Sequence, residues 1–171
     1  MKKIIILACS LWLLSFISAA QKYAIIDTRY ILDKLPEYKE AQSQLDAVAV
    51  TWQKEIDDMQ TELDKMYRDF EAEQVMLSEE LKKKREDQLF LKEKELRDLQ
   101  RKRFGFEGDL FKKRQELVKP VQDKVFNAVQ KLAVQRSYDF ILDKSEGITV
   151  IFADPKLDKS EDVLRELGIR N

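Results

Sequence analysis

Apolar residues recur at heptad spacing along residues 45–117, and this pattern limits the chain to long paired helices. Spacings that alternate between three and four place these side chains in one stripe that a partner helix must cover. The first half misses one step, at Glu73, and consists of Leu45, Val48, Trp52, Ile56, Met59, Leu63, Met66, Phe70 and Leu77. The second half is interrupted at Lys92, Arg103 and Lys113 and consists of Leu89, Leu96, Leu99, Phe106, Leu110 and Leu117.

A chain reversal near Ser78 would let the two halves cover each other. One continuous helix from residue 37 to about residue 136 would be roughly 150 Å long and would need a partner along its whole length. Ser78 is a favourable N-cap, and Glu79 and Glu80 suit the positive end of a helix. We therefore predict an antiparallel helical hairpin, a coiled-coil tentacle, over residues 37–117, with its tip at residues 76–80. An uninterrupted helix that pairs in parallel with a second copy is the alternative.

The composition argues against a catalytic or nucleic-acid-binding protein. Of the 171 residues 37% are charged, the net charge is −1, and there is no histidine. Acidic and basic residues alternate along the helices, whereas a nucleic-acid site needs a basic patch. Histidine is the commonest general base and metal ligand. We therefore expect the protein to have no enzymatic activity and to bind no cofactor, metal or nucleic acid.

Residues 1–20 have the composition of a secretory signal peptide. Lys2 and Lys3 precede a largely apolar run at residues 4–14, and small residues lead up to Ala20, after which we predict cleavage. A lipoprotein signal that uses Cys9 is the alternative. Cleavage after Ala20 would remove the only cysteine and change the net charge to −3, so the mature chain would contain no disulfide.

Both ends of the mature chain are β-prone. We predict one strand at residues 23–26 and a hairpin of strands at residues 138–143 and 148–152. Three short strands cannot close a core, so several copies must pool them. We predict that residues 21–36 and 118–171 form this oligomerisation body. The side chains assigned to it are Tyr23, Ile25, Tyr138, Phe140, Leu142 and Val150. The predicted fold class is α+β, mostly α.

Two glycines and a proline interrupt the helical pattern of the second arm. Gly105 and Gly108 each cost about 1 kcal/mol relative to Ala inside a helix. They indicate either close packing against the first arm or a point where the arm bends. Pro120 interrupts the helix that follows. We assign these three residues to a hinge.

Four side chains off the stripe are candidates for contacts with another protein: Tyr67, Met76, Phe104 and Phe111. Phe104 and Phe111 are seven residues apart and so share one outer face of the helix. Methionine suits a surface that adapts to different partners. Ordinary packing between helices is the alternative for each of the four.

The whole mature chain resembles the Skp/OmpH family of periplasmic chaperones. The strings that carry the resemblance are YAIID at 23–27, LPEY at 35–38, LSEE at 77–80, FGFEG at 104–108, LVKPVQDKV at 117–125 and YDFILD at 138–143. Their order, with strands on either side of a helical hairpin and a signal peptide in front, is more specific than any single string.

The resemblance implies a periplasmic homotrimer in which strands from three chains form a small barrel and three tentacles enclose a cavity. It also implies an ATP-independent holdase whose clients are unfolded outer-membrane proteins. The best-known members are strongly basic, whereas this mature chain is slightly acidic. We therefore assign no residues here to contact with lipopolysaccharide or a membrane. A transient contact with the membrane surface stays open. A coiled-coil scaffold or a periplasmic adaptor is the alternative function.

Overall fold

The structure is a computed structural model, and it describes residues 21–145, 147 and 150–169 of the chain. The elements in chain order are β1 (Tyr23–Ile26), α1 (Thr28–Lys34), α2 (Pro36–Glu73), α3 (Glu79–Phe104), α4 (Asp109–Leu117), α5 (Lys119–Arg136), β2 (Phe140–Asp143), a 3-10 turn (Pro155–Leu157) and α6 (Ser160–Glu166). No helix within these described residues has the length and apolar character needed to cross a membrane.

The chain divides into two compact units. The first comprises the described residues up to Ile31 and from Asn127 onward, and the second comprises residues 32–126. The predicted assignment of these parts to a tentacle and a trimerisation body stays a prediction.

The second unit contains the helical hairpin. Pro36 begins α2, where its missing N–H would have had no partner in the helix anyway. The helix continues for 38 residues, about 57 Å, to Glu73. The Ser78 hydroxyl then caps α3 by accepting a hydrogen bond of 3.4 Å from the Leu81 N–H. The reversal predicted near Ser78 is present, and the uninterrupted helix is wrong.

Apolar residues of the stripe hold the two arms of the hairpin together. Along the arms, Ile56, Leu63, Leu89 and Leu96 are buried in one cluster, against which Met59, Met66, Phe70 and Leu99 pack. Near the base, Ala41, Leu45 and Val118 form a second cluster, against which Tyr38, Leu110 and Leu117 pack. The second cluster therefore brings Leu45 of the first arm together with Leu110 and Leu117 of the second.

Ion pairs follow the same antiparallel register between the arms. Arg85 lies 3.5 Å from Glu73 near the tip, and Lys92 lies 2.7 Å from Glu62 further down. Lys92 is one of the positions where the apolar stripe is interrupted. Its side chain lies along the seam and places its charge on an acid of α2.

Phe106 contradicts the predicted stripe, because its side chain is 97% exposed. The sequence pattern assumes one straight helix through the second arm. In the structure α3 ends at Phe104 and α4 begins at Asp109, so residue 106 lies in the link between them and leaves the seam.

The first unit is built on two parallel strands. Tyr23 of β1 is paired with Phe140 of β2, and Ile26 with Asp143. Parallel strands need a long crossover connection, and here all five helices from α1 to α5 lie between them in the chain. An isolated parallel bridge joins Ile25 to Asp158 beyond the 3-10 turn.

The predicted hairpin of residues 138–143 and 148–152 is not what the structure shows. β2 begins two residues later than expected, at Phe140, and pairs with β1. Val150, Ile151 and Phe152 are not in a strand, and Ile148 and Thr149 lie outside the described residues. Alternating β-branched residues indicated a strand, but the pattern carries no information about the strand's partner.

A buried serine ties the last helix to β1. Ser160 is 4% exposed, accepts a hydrogen bond of 2.9 Å from the Asp27 N–H, and donates one of 2.7 Å to Asp158. Burial alone would raise the pKa of Asp158, but hydrogen bonds from Lys144 and Ser160 hold it below its ordinary value. The buried apolar residues of this unit are Ala24, Ile25, Ile26, Ile31, Ala128, Leu132, Val163 and Leu164.

Candidate functional site

The second arm is broken between Phe104 and Asp109. The Gly105 N–H closes α3 on the Arg101 carbonyl at 2.8 Å, and the Gly108 N–H donates to the Gly105 carbonyl at 2.9 Å. Between them Glu107 adopts a left-handed conformation with φ 53°. The break therefore has a defined backbone geometry, as distinct from a stretch of weak helix.

Close approach of backbone atoms explains both glycines of this break. A Cβ atom on Gly105 would overlap the Arg101 carbonyl oxygen. A Cβ atom on Gly108 would lie 2.8 Å from the Lys102 carbonyl oxygen and 2.9 Å from that of Gly105. Contacts below 3.0 Å force the backbone to shift, so glycine is required at both positions. The predicted hinge at these residues thus falls on a real interruption, and whether it bends stays a prediction.

The break brings Phe104 and Phe111 to one groove against α2. The groove has a volume of about 340 Å³ and its walls are formed by Phe104, Phe111 and Leu110 on one side and by Leu45 and Ala49 on the other. Phe104 is 39% exposed and Phe111 is 47% exposed, so each ring is partly seated and partly open to solvent. We call this feature the aromatic groove.

The rim of the aromatic groove is polar. Gln42, Asp46 and Arg114 are its polar lining residues, and the Gln42 amide donates to Asp46 at 2.9 Å. Ligand sites in proteins combine an apolar lining with a few polar groups, and their volumes begin at about 300 Å³. The aromatic groove has room for one or two large apolar side chains of another chain.

A polar layer lies in the seam beside the groove. Arg103 donates hydrogen bonds of 3.0 and 3.2 Å to Glu55 of α2 and one of 2.8 Å to Asp109, the first residue of α4. Its guanidinium carbon also lies 4.8 Å from the ring centroid of Trp52. Burial opposes the charge, but the bonds to Asp109 and Glu55 raise the pKa of Arg103 above its ordinary value.

The other two predicted contact residues lie elsewhere on the hairpin. The Tyr67 hydroxyl donates a short hydrogen bond across the arms to Glu93, whose carboxylate is also 3.3 Å from Arg97. This bond raises the pKa of Tyr67, and together with Arg97 it lowers the pKa of Glu93. Met76 is 82% exposed in the turn at the tip. The structure therefore unites Phe104 with Phe111 and leaves Tyr67 and Met76 apart from them.

Sequence reasoning missed three exposed aromatic side chains of the second unit: Phe90 and Phe126 at 61%, and Phe106 at 97%. Phe90 precedes Phe104 by fourteen residues, so the heptad column that identified Phe104 and Phe111 already contained it. Phe106 was hidden because it matched the apolar stripe.

The first unit has an apolar surface of its own. The rings of Tyr23 and Phe140 stack with centroids 5.6 Å apart, at an interplanar angle of 7°. Beside them is an open groove of about 580 Å³, which includes Ile25, Leu142 and Val150 in its lining. Five of the six residues assigned to the oligomerisation body therefore border one surface, and Tyr138 precedes β2.

Large apolar residues also project from this surface. Ile151 is 94% exposed and Phe152 is 85% exposed. Together with Tyr23 and Phe140 they leave an apolar patch open to solvent on the first unit. We call this patch the body face. Exposed apolar patches of this kind mark binding surfaces.

The model of one protein family, described as outer membrane protein (OmpH-like), matches residues 22–167. The chain belongs to the OmpH-like family. The resemblance seen in its sequence strings is thereby confirmed, and the match includes both the aromatic groove and the body face.

A solved structure supports the same fold for this OmpH-like chain. The crystal structure of an OmpH-like protein from Caulobacter crescentus CB15, a candidate outer membrane chaperone, matches with a TM-score of 0.68 and 15% sequence identity. The match covers 87% of this chain and 85% of the other. At that identity it shows the fold alone. No curated protein sequence matches the chain.

Among the described residues no group of three or more acidic side chains is placed to hold a metal ion. In the same part of the chain every buried side-chain nitrogen or oxygen has a hydrogen-bond partner.

Proposed function

We propose that this OmpH-like chain is an ATP-independent periplasmic holdase that keeps unfolded outer-membrane proteins from aggregating. The observation that carries the proposal is the aromatic groove, where Phe104 and Phe111 are about half exposed and line one groove with Leu45 and Ala49. An unfolded β-barrel protein exposes alternating apolar side chains and unpaired strand edges, which aggregate in water. Partly seated aromatic rings bind such side chains loosely and without sequence preference.

The body face supports assembly into a homotrimer. A two-stranded sheet is marginally stable by itself, and this one leaves Tyr23 43% and Phe140 44% exposed. Pairing with the same surface of further copies would cover these rings. Tyr23→Ser with Phe140→Ser should therefore lower the molar mass measured by light scattering, which we expect to correspond to three chains in the original protein. An unchanged mass would refute this use of the body face.

The holdase proposal is tested by changing Phe104 and Phe111 together to Ser. Each ring has about half of its surface still to bury, which is worth about 1 kcal/mol per ring. Losing both should weaken client binding by about 2 kcal/mol, roughly thirtyfold in Kd. The measurement is light scattering after an unfolded outer-membrane β-barrel protein is diluted from urea into increasing amounts of the chain.

The matched control is Phe90→Ser with Phe126→Ser. These two rings are each 61% exposed, more than Phe104 and Phe111, but neither lines the aromatic groove. We expect the control to protect the client nearly as well as the original chain. Equal protection by both double variants would remove the aromatic groove from the client site. Absence of any protection by the original chain would favour the scaffold or adaptor function.

A further inference from the structure

The apolar stripe does not explain why a polar layer surrounds Arg103 in the seam between the arms. Five residues of the second arm follow one another at intervals of seven: Leu89, Leu96, Arg103, Leu110 and Leu117. Four are leucines that pack in the two clusters of the hairpin. A fifth leucine would continue the stripe, and replacing ionic groups in such layers with apolar ones often leaves a protein as stable or more so. Stability alone therefore does not account for an arginine at this position.

The partners of Arg103 belong to α4, beyond the break, and to α2 of the other arm. Asp109 is the first residue of α4, and Glu55 is in the middle of α2. Arg103 itself is next to the last residue of α3. Its side chain is only 21% exposed, and its bonds to the two acids measure 2.8 and 3.0 Å. One guanidinium thus joins three helices at the point where the backbone gives least support.

Apolar and polar contacts both hold α4. Leu110 and Leu117 pack with Leu45 in the cluster near the base of the hairpin. At the N-terminus of the helix, the Asp109 carboxylate accepts a hydrogen bond from Arg103, and Phe111 of the aromatic groove follows two residues later. The bond to Asp109 is thus a second restraint, beside the packing of Leu110, on the distance between Phe111 and the α2 wall.

We propose that Arg103 is a positioning residue that fixes α4 against α2 across the break and so sets the width of the aromatic groove. The planar guanidinium is suited to this role, because it can satisfy two carboxylates at fixed angles while its face lies on Trp52. The use of the groove for clients rests on the proposed function, but the positioning itself does not.

Distances between spin labels test the proposal. In a Cys9→Ser background, labels are attached at Lys54→Cys of α2 and Lys112→Cys of α4, both exposed and outside the groove. Labelled chains are diluted with excess unlabelled chains so that only distances within one chain are measured. We expect a single narrow distance that is lost in Arg103→Gln and also in Arg103→Leu. A second pair of labels, at Lys54 and Lys94 of α3, should keep its distance in both variants.

Two comparisons separate positioning from a general structural role. Arg103→Leu should unfold at the same temperature as the original chain or higher, although its α4 distance broadens. Arg101→Gln, two residues away with a side chain 78% exposed, should leave both distances narrow. A narrow distance to α4 in both Arg103 variants would overturn the proposal. If the distance broadens but Phe104→Ser with Phe111→Ser protects clients normally, Arg103 positions α4 and the client function of the groove fails separately.

Discussion

Truncation of Leu63 to Ala should destabilise the helical hairpin by about 2–3 kcal/mol. Leu63 is 5% exposed and packs in the cluster that contains Leu89 and Leu96 of the other arm. Leu-to-Ala changes in protein cores cost about 2–5 kcal/mol, and the cost falls where neighbours can fill the cavity. A seam between two helices is one layer thick, and the flexible side chains of Met59 and Met66 pack beside it. The lower half of the range is therefore expected.

The assay is urea unfolding followed by helical circular dichroism, at one protein concentration, because assembly contributes to the measured stability. Leu91→Ala is the matched control, since it makes the same chemical change in α3 at a side chain that is 57% exposed. Exposed changes of this kind fall within about 0.5 kcal/mol of zero. If Leu63→Ala and Leu91→Ala cost the same free energy, the two arms do not bury each other as described.

Two further predictions concern polar contacts. Ser160→Ala should cost about 1–3 kcal/mol of unfolding free energy, because the Asp27 N–H loses its buried acceptor; urea unfolding measures it. Tyr67→Phe should raise the pKa of Glu93 towards the ordinary value of a glutamate, because the hydroxyl that stabilises the carboxylate is gone. A lowered native pKa stabilises the fold above about pH 4.3 and loses that effect as the pH falls through the native pKa. Carboxyl NMR titration of Glu93 measures the shift.

Controls for these two changes are available in α2. Ser43→Ala replaces an exposed serine inside the helix and should change stability by less than about 0.5 kcal/mol. Tyr38→Phe removes a hydroxyl from the cluster near the base and should leave the titration of Glu93 as it is. An equal cost for Ser160→Ala and Ser43→Ala, or an unmoved pKa of Glu93 in Tyr67→Phe, would contradict the hydrogen bonds described.

The helical hairpin was predictable because its determinants are local in the sequence. The apolar stripe indicated which face each arm buries, and Ser78 with the two glutamates behind it marked the reversal. Phe106 shows the limit of such reasoning. Its spacing matched the stripe, but spacing predicts a side chain's direction only while the helix is unbroken.

Local sequence patterns were enough to predict the helical hairpin, its antiparallel arms and the interruption at Gly105 and Gly108, since heptad spacing, caps and glycine content act over a few residues. The parallel pairing of β1 with β2 could not be predicted in this way, because it depends on contacts between residues more than one hundred positions apart in the chain. The same holds for the aromatic groove. Phe104 and Phe111 were suspected as a pair, but the groove that they line with Leu45 and Ala49 of α2 depends on the break between α3 and α4 and on contacts with residues far away in the chain.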